Sequence, residues 1–294
     1  MKNPLYADNE YKVSIFCNNA KNIYNLTTFI LLIGKYPDII LNFAVMHSAT
    51  QQIYGMLQLR FMAIIKADKE KISDKVVILG NLDRQKTINS YLNNVEKVSE
   101  FAGYHAYTGE YQGEKITTVF HGIGIPSMAL IVDDLVSMGA RKIVRFGSSF
   151  AVSEKVKPGT AVLPIGYSYY PGGVFRQYLK DDYSIALTPD YSMLKSGEER
   201  LNKDGMKVMV GNVFTSDALM THNKEFAEKL GRDGHLAVEL EGAGLYFIAK
   251  LKGASALSVH LAYGNLVTGE SLKAEEITAK ERIISKNILD LLVE

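Results

Sequence analysis

The chain predicts an α/β fold: a central β-sheet, mixed or mostly parallel, with helices packed on it. Three observations carry this. From Lys75 onward, short β-branched runs alternate with segments of helical period, the pattern of strand–helix units. Glycine and proline fall where the period changes, as at Gly80, at 122–126 and at Pro189, and so read as turns. The length of 294 residues suffices for one large domain with a substantial core.

Candidate strands lie at 76–79, 116–120, 142–146, 159–165, 207–213 and 256–262. Each is rich in residues that suit a pleated, half-buried surface. Candidate helices follow Pro126, Pro189, Asn223, Glu241 and Lys273, and Arg84 opens another after the turn at Gly80. After Pro126 the apolar residues Met128, Leu130, Ile131, Leu135 and Met138 recur with helical period, and proline suits a first helical turn. After Glu241 the segment 244–249 is apolar nearly all round, so that helix is expected to be buried. There is no internal repeat and no low-complexity segment.

Residues 1–61 differ in character. Two apolar runs, 29–34 and 39–46, are broken by Lys35, Pro37 and Asp38. Neither reaches the roughly 18 residues of a membrane span, and the pattern is not that of a signal peptide. The segment is expected to be a poorly ordered extension, or a mis-assigned start with Met62 as the natural first residue. The alternative is a small accessory hairpin or partner-binding helix. The domain proper is placed at 62–294.

The formal net charge is +1, so nothing favours nucleic acid or a membrane surface. The single cysteine, Cys17, excludes an intrachain disulfide and a multi-cysteine metal site. That suits an intracellular, cytoplasmic protein. The six histidines show no metal-ligand spacing, and no cofactor is expected.

Three segments carry chemistry. Val238-Glu239-Leu240-Glu241-Gly242-Ala243 places two carboxylates two residues apart at the mouth of the apolar helix. A buried carboxylate without a partner costs several kcal/mol, on the order of a lost charge-assisted bond, so at least one should be paired or face a ligand. Acids favoured by the helix dipole are the plainer explanation. His121-Gly122-Ile123-Gly124-Ile125-Pro126-Ser127 forms a strand–turn–helix junction, which can cradle an anion. Arg141-Lys142-Ile143-Val144-Arg145-Phe146-Gly147-Ser148-Ser149 reads as a strand ending in a cation and then hydroxyls. Ligands bind at the carboxyl ends of strands in open α/β sheets, so Arg145 either meets an anion there or is an edge-strand charge.

Together these segments resemble the nucleoside phosphorylase superfamily, in the branch holding hexameric purine nucleoside, methylthioadenosine and uridine phosphorylases. The resemblance includes Val77-Ile78-Leu79-Gly80, Tyr107-Thr108-Gly109 and Gly211-Asn212-Val213-Phe214-Thr215-Ser216-Asp217. The stretch 172–181 with Thr188-Pro189-Asp190 looks most like archaeal members. The resemblance implies a single three-layer domain with a central mixed sheet flanked by helices. It implies phosphate-dependent cleavage of the N-glycosidic bond of a purine or methylthio-nucleoside, giving free base and pentose 1-phosphate, in nucleoside catabolism and salvage. Inorganic phosphate would be the co-substrate. A dimer-based homo-oligomer, a hexamer, would complete the sites.

The resemblance assigns phosphate to the backbone at Gly80, to Arg84, Arg145 and Ser148, and the ribose hydroxyls to Glu241. Arginine forks and backbone N–H groups suit phosphate, although Arg84 also fits a solvated helix face. Glu239 is then structural, pairing with a core-facing arginine. Leu240 stands for a methionine that packs on the sugar, a volume-conserving change. Val238, Leu219 and Phe150 would line the base pocket. Leu219 replaces a stacking ring, and Phe150 replaces a glycine.

The departures are equally informative. Ala102 stands where a neighbour's arginine completes the clamp, and Ile64 where a neighbour's histidine reaches the sugar. The family's Val-Ser-Asp is Ala262-Tyr263-Gly264 here. Purine members use that aspartate on N7 of the leaving base, and Gly264 offers no such group. Three functions stay open. One is an active phosphorylase with a rebuilt base pocket using Asn265, Tyr263 or His260; uridine-type members also lack the aspartate. Another is a nucleoside hydrolase, against which the retained arginines argue. The third is a weakly active or inactive paralogue that binds nucleoside or phosphate.

Overall fold

The computed structural model describes residues 63–170 and 172–294. The expectations for 1–61, and Cys17, fall outside the described residues. Nine strands form one mixed sheet in the order β2-β3-β4-β1-β5-β8-β7-β6-β9. They are β1 (Lys75–Leu79), β2 (Asn93–Phe101), β3 (Tyr104–Tyr111), β4 (Glu114–Phe120), β5 (Lys142–Ala151), β6 (Ala161–Tyr169), β7 (Val208–Thr215), β8 (His235–Glu239) and β9 (Ser255–Asn265). The far edge returns on itself: β9 also pairs with β5, parallel. Strands β5, β8, β7, β6 and β9 therefore close a ring, while β2, β3 and β4 continue outward from β1.

Seven helices flank the sheet among the described residues: α1 (Leu82–Asn89), α2 (Ile125–Ser137), α3 (Gly173–Leu179), α4 (Tyr191–Lys203), α5 (Lys224–Arg232), α6 (Gly242–Lys252) and α7 (Ala274–Val293). The expected helices after Pro126, Pro189, Asn223, Glu241 and Lys273 are all present. Their starts have local causes. Asn81, Asp190 and Asn223 accept backbone N–H groups of the first turns of α1, α4 and α5, which satisfies donors the helix cannot. Two apolar layers fill the space on either side of the sheet. Helices α2 and α6 pack on one layer, through Ile131, Leu135, Leu245 and Phe247. Helices α4 and α7 close the other, through Leu194, Leu201, Ile288 and Leu292. Eight consecutive residues of α6, Gly242 to Ala249, are buried, as its all-round apolar character requires.

One boundary differs from expectation in a way that matters. Strand β5 does not end at Phe146 but runs on to Ala151. Its continuation pairs with β9 to Asn265 and with β8 through Phe150 and Ala151. Arg145 is therefore a mid-strand residue, between Ile78 of β1 and Ser258 of β9. The closed ring supplies hydrogen-bond partners that keep the small residues 147–149 extended. Strands β2, β3 and β8 were not expected as elements; β2 is largely polar and exposed, so it lacks a buried-strand signature.

Candidate active site

Arg145 is the hub of the site. Although 2% exposed, it is surrounded by acceptors. Its Nη1 lies 3.0 Å from Glu239 and 3.3 Å from His260 Nδ1. Its Nη2 pairs with Glu241, and its Nε points to His121 Nε2 at 3.4 Å. Burial opposes the charge, but Glu239 and Glu241 outweigh it and hold the guanidinium above its ordinary pKa. Gly147 makes this fold-back possible: a Cβ there would lie 2.5 Å from Arg145 Nη1 and 2.9 Å from His260 Nδ1. Burial, reinforced by the Arg145 charge, pushes both His121 and His260 well below the usual histidine pKa. Both rings are neutral at pH 7, and a neutral imidazole can accept from a guanidinium.

The two carboxylates divide their work. Glu239 ends β8 and caps α6, accepting from the backbone N–H of Glu241 at 2.9 Å and of Gly242 at 2.9 and 3.0 Å, and from Thr215 Oγ1 at 2.5 Å. Its carboxylate is held by these groups and by Arg145, and it borders the cleft as well. Glu241 lines the cleft, held by Arg145 and by the Gly124 N–H at 2.9 Å. Burial raises its pKa despite the pull of Arg145, and Glu239 adds to the rise. The glycine turn before α2 thus cradles an anion, but the anion is this chain's own carboxylate.

Arg84 is no solvated helix charge. It is 3% exposed and packs over the Phe146 ring with its guanidinium carbon 4.5 Å from the centroid. It donates from Nη1 to the Phe146 carbonyl at 3.0 Å and from Nη2 to the Tyr263 hydroxyl at 2.8 Å. Glu281 of α7 takes its Nε and Nη2 at 2.9 and 2.8 Å. The Tyr263 hydroxyl in turn donates to Glu281.

Arg84, Arg145, Gly80, Ser148, Glu241, Val238, Leu240, Phe150 and Leu219 all line one cleft of about 220 Å³, with Tyr263, Ile123 and His222. The phosphate, sugar and base residues assigned by resemblance are thus brought together from four separate segments. Phe150 faces Gly264 across the β5–β9 pairing. A Cβ on residue 264 would sit 3.3 Å from the Phe150 ring and 3.0 Å from the Glu270 carbonyl. The ring and the glycine are therefore a matched pair, and one explains the other.

Asn265 must be corrected. It is 2% exposed and outside the cleft lining. Its Nδ2 donates to the carbonyls of Ser153 and Val156, and its Oδ1 accepts from the N–H groups of Val267 and Thr268. The amide is spent on holding the loop after β9. His260 is likewise enclosed, bonded to Arg145, Tyr167 and Ser258, and Tyr263 serves the Arg84 end. None of the three reaches the base side. Two other polar residues line the cleft, Ser149 beside Phe150 and His222 beside Leu219; His222 stacks on Phe226 at 5.1 Å and 7°. Its ring nitrogens have no hydrogen-bond partner among the described residues. Burial lowers its pKa. No sequence signal points to His222: one histidine in a polar loop has no periodic or motif context.

Ile64 packs against the chain's own apolar cluster, and its N–H bonds Asp134. Ala102 lies in the β2–β3 turn with φ +50°. A larger hollow of about 460 Å³ between α1 and β3 holds Lys86 and His105 but no arginine, and Lys86 is already paired with Asp83 at 2.8 Å. Among the described residues no helix is long and apolar enough to cross a membrane, and no cluster of three or more metal-ligating side chains occurs.

Comparison with known proteins agrees with this geometry. Purine nucleoside phosphorylase DeoD-type 1 of Vibrio cholerae serotype O1 is 34% identical over 214 residues, spanning 72% of this chain and 88% of that protein. The DeoD-type purine nucleoside phosphorylase of Bacillus subtilis strain 168 is 33% identical over 214 residues, spanning 72% of this chain and 91% of that protein. A crystal structure of uridine phosphorylase from Vibrio fischeri ES114 superposes with a TM-score of 0.69 over 79% of this chain and 98% of that one, at 22% identity. The family model for the phosphorylase superfamily matches residues 74–294. The chain is a member of the phosphorylase superfamily, with the three-layer mixed-sheet fold of the nucleoside phosphorylases.

Proposed function

We propose that the protein is a nucleoside phosphorylase with a rebuilt base pocket. It would cleave the N-glycosidic bond of a purine or 5′-methylthio nucleoside with inorganic phosphate. The observation that carries this is one cleft lined by two buried arginines, by Glu241 paired to Arg145, and by the exposed apolar side chains Phe150, Leu219 and Ile123. That set of groups suits an anion, a sugar and a base. Phosphate oxygen attacks C1′ of the sugar, the C1′–N bond breaks, and its electron pair leaves with the base. Arg145 and Arg84 would hold the nucleophile, while Glu241 would accept the ribose hydroxyls and stabilise positive charge growing on the sugar. The departing base must gain a proton. No carboxylate lines the base side, so that proton comes from water or from His222, and purine cleavage is expected to be slow.

A second reading has its own support. Both arginines are already neutralised, two guanidinium groups facing three carboxylates, Glu239, Glu241 and Glu281. That favours a weakly catalytic nucleoside-binding paralogue over a hydrolase, because Glu241 and the apolar mouth still fit a nucleoside. The discriminating experiment is cleavage of adenosine, inosine, guanosine, methylthioadenosine and uridine with and without phosphate. Phosphate-dependent release of base supports the phosphorylase. Release without phosphate indicates a hydrolase, and thermal stabilisation without release indicates the paralogue.

The reading includes a homo-oligomer in the cytoplasm. Ile123, Leu219 and Met220, at or beside the cleft mouth, are 73%, 47% and 95% exposed, which suits coverage by a second copy. Light scattering that returned a stable monomer at micromolar protein would remove that part.

A further inference from the structure

We propose that Glu281, with Tyr263 as its strut, sets the affinity of the cleft for its oxyanion by competing with it for Arg84. The proposal rests on the phosphate assignment made above. Glu281 comes from α7, far along the chain from Arg84 on α1, and its side chain is 14% exposed against 3% for Arg84. Its Oε1 accepts the Nε–H at 2.9 Å and lies 2.8 Å from Nη2. The Phe146 carbonyl and the Tyr263 hydroxyl accept from Nη1 and Nη2. Glu281 thus occupies the Nε–Nη2 edge of the guanidinium, one of the edges that can grip an oxyanion bidentately.

Tyr263 makes the arrangement persistent. Its hydroxyl accepts from Arg84 and donates to Glu281, so it locks the carboxylate against the arginine. Burial pushes the phenol up to about 12, so it keeps its proton through the neutral range. A smaller residue at position 263 would leave Glu281 without this contact. An incoming phosphate must therefore displace Glu281 from Arg84 or share the guanidinium with it. Glu281 does not touch the reacting atoms; it is a positioning residue that acts through Arg84.

The test is titration of inorganic phosphate into the full chain by calorimetry, followed by steady-state kinetics on the best nucleoside substrate. Glu281→Gln keeps the shape and an acceptor but removes the rival charge. It is expected to tighten phosphate binding by about tenfold, on the scale of one charge-assisted partner, and to lower KM for phosphate with KM for nucleoside unchanged. A merely structural role would not split the two KM values. Tyr263→Phe removes the strut and should move phosphate affinity the same way by roughly two- to fivefold, which keeps the proposal testable if the first variant fails to fold. Unchanged or weaker phosphate binding in the variants, or no phosphate binding by any of the proteins, overturns it. Tightened phosphate binding without nucleoside cleavage would uphold Glu281 as the rival while removing the phosphorylase reading.

Discussion

At the deep end of the cleft every charged side chain has at least two partners; at the mouth the side chains have few or none. Arg145, Arg84, Glu239, Glu241 and Glu281 are tied to one another, to the backbone and to neutral histidines. Phe150, Leu219 and Ile123 are apolar and 38%, 47% and 73% exposed, and His222 has unpartnered nitrogens. The deep end is preorganised at a cost in free charge, because its cations are already compensated. The mouth is uncommitted, and its shape is set by one aromatic ring lying over one glycine. Anion chemistry and base choice are thus built on different physics in one 220 Å³ space.

The harshest way to break this comparison is to remove the hub. Arg145→Met leaves Glu239 and Glu241 buried side by side without their cation. Breaking a buried ion pair costs about 3–5 kcal/mol, or roughly 6–20 °C in Tm for a domain of this size. Thermal denaturation should show that fall together with loss of phosphate binding. A variant that melted like the wild type would mean the carboxylates do not depend on the arginine, and the deep end would not be the preorganised unit described here.

How much of this was legible in the sequence follows the same division. The strand–helix alternation and the five helix starts were visible because Pro126, Pro189, Asn223, Glu241 and Lys273 punctuate strong periods. Arg84, Arg145 and Glu241 stood in segments with recognisable order. What could not be read was long-range: that β5 runs past Arg145 because β9 returns to pair with it, that Glu281 reaches Arg84 across 197 positions, and that Asn265 is consumed by four backbone groups. Such contacts have no local period. His222 was invisible for the same reason.

The mouth can be tested by rebuilding it. Gly264→Asp alone is expected to lower stability and leave purine cleavage unimproved, because its Cβ meets the Phe150 ring and the Glu270 carbonyl. Overpacking of this kind costs about 1–3 kcal/mol. Adding Phe150→Gly frees the ring side but not the carbonyl side. The double variant should recover part of the stability and raise inosine cleavage, by up to about 10²-fold where a positioned acid is restored. Single-variant activity equal to that of the double would show that Phe150 does not gate the pocket.

Acidification should weaken the deep end. His121 and His260 are neutral when folded, with pKa values below the unfolded value of about 6.5. The unfolded chain therefore binds protons first as pH falls. Their contribution is complete above about pH 6.5 and is lost below it, towards the folded pKa values, at up to ~1.4 kcal/mol per pH unit for each ring. Glu241 shifts the other way, taking its proton earlier when folded, and offsets part of the loss at lower pH. Denaturant titrations at pH 7.5 and 5.5 should differ by about 1–3 kcal/mol. A flat profile would mean that both rings already carry a proton beside Arg145.

The smallest effect sharpens the contrast most. His222 stacks on Phe226, so His222→Phe keeps the stack and removes two nitrogens that lack partners among the described residues. Unsatisfied buried polar atoms are a stability cost, and replacing them with an apolar group of the same shape is nearly neutral or stabilising. The variant should therefore melt at the wild-type temperature or slightly above. If His222 hydrogen-bonds the base, the same change should weaken hypoxanthine or adenine binding by about two- to tenfold, the worth of one neutral hydrogen bond, and leave phosphate binding untouched. Opposite signs for stability and base affinity would identify a group kept for its ligand rather than for the fold. A loss of stability without a change in base affinity would make His222 a packing residue, and the mouth would then hold no polar contact of its own for the base.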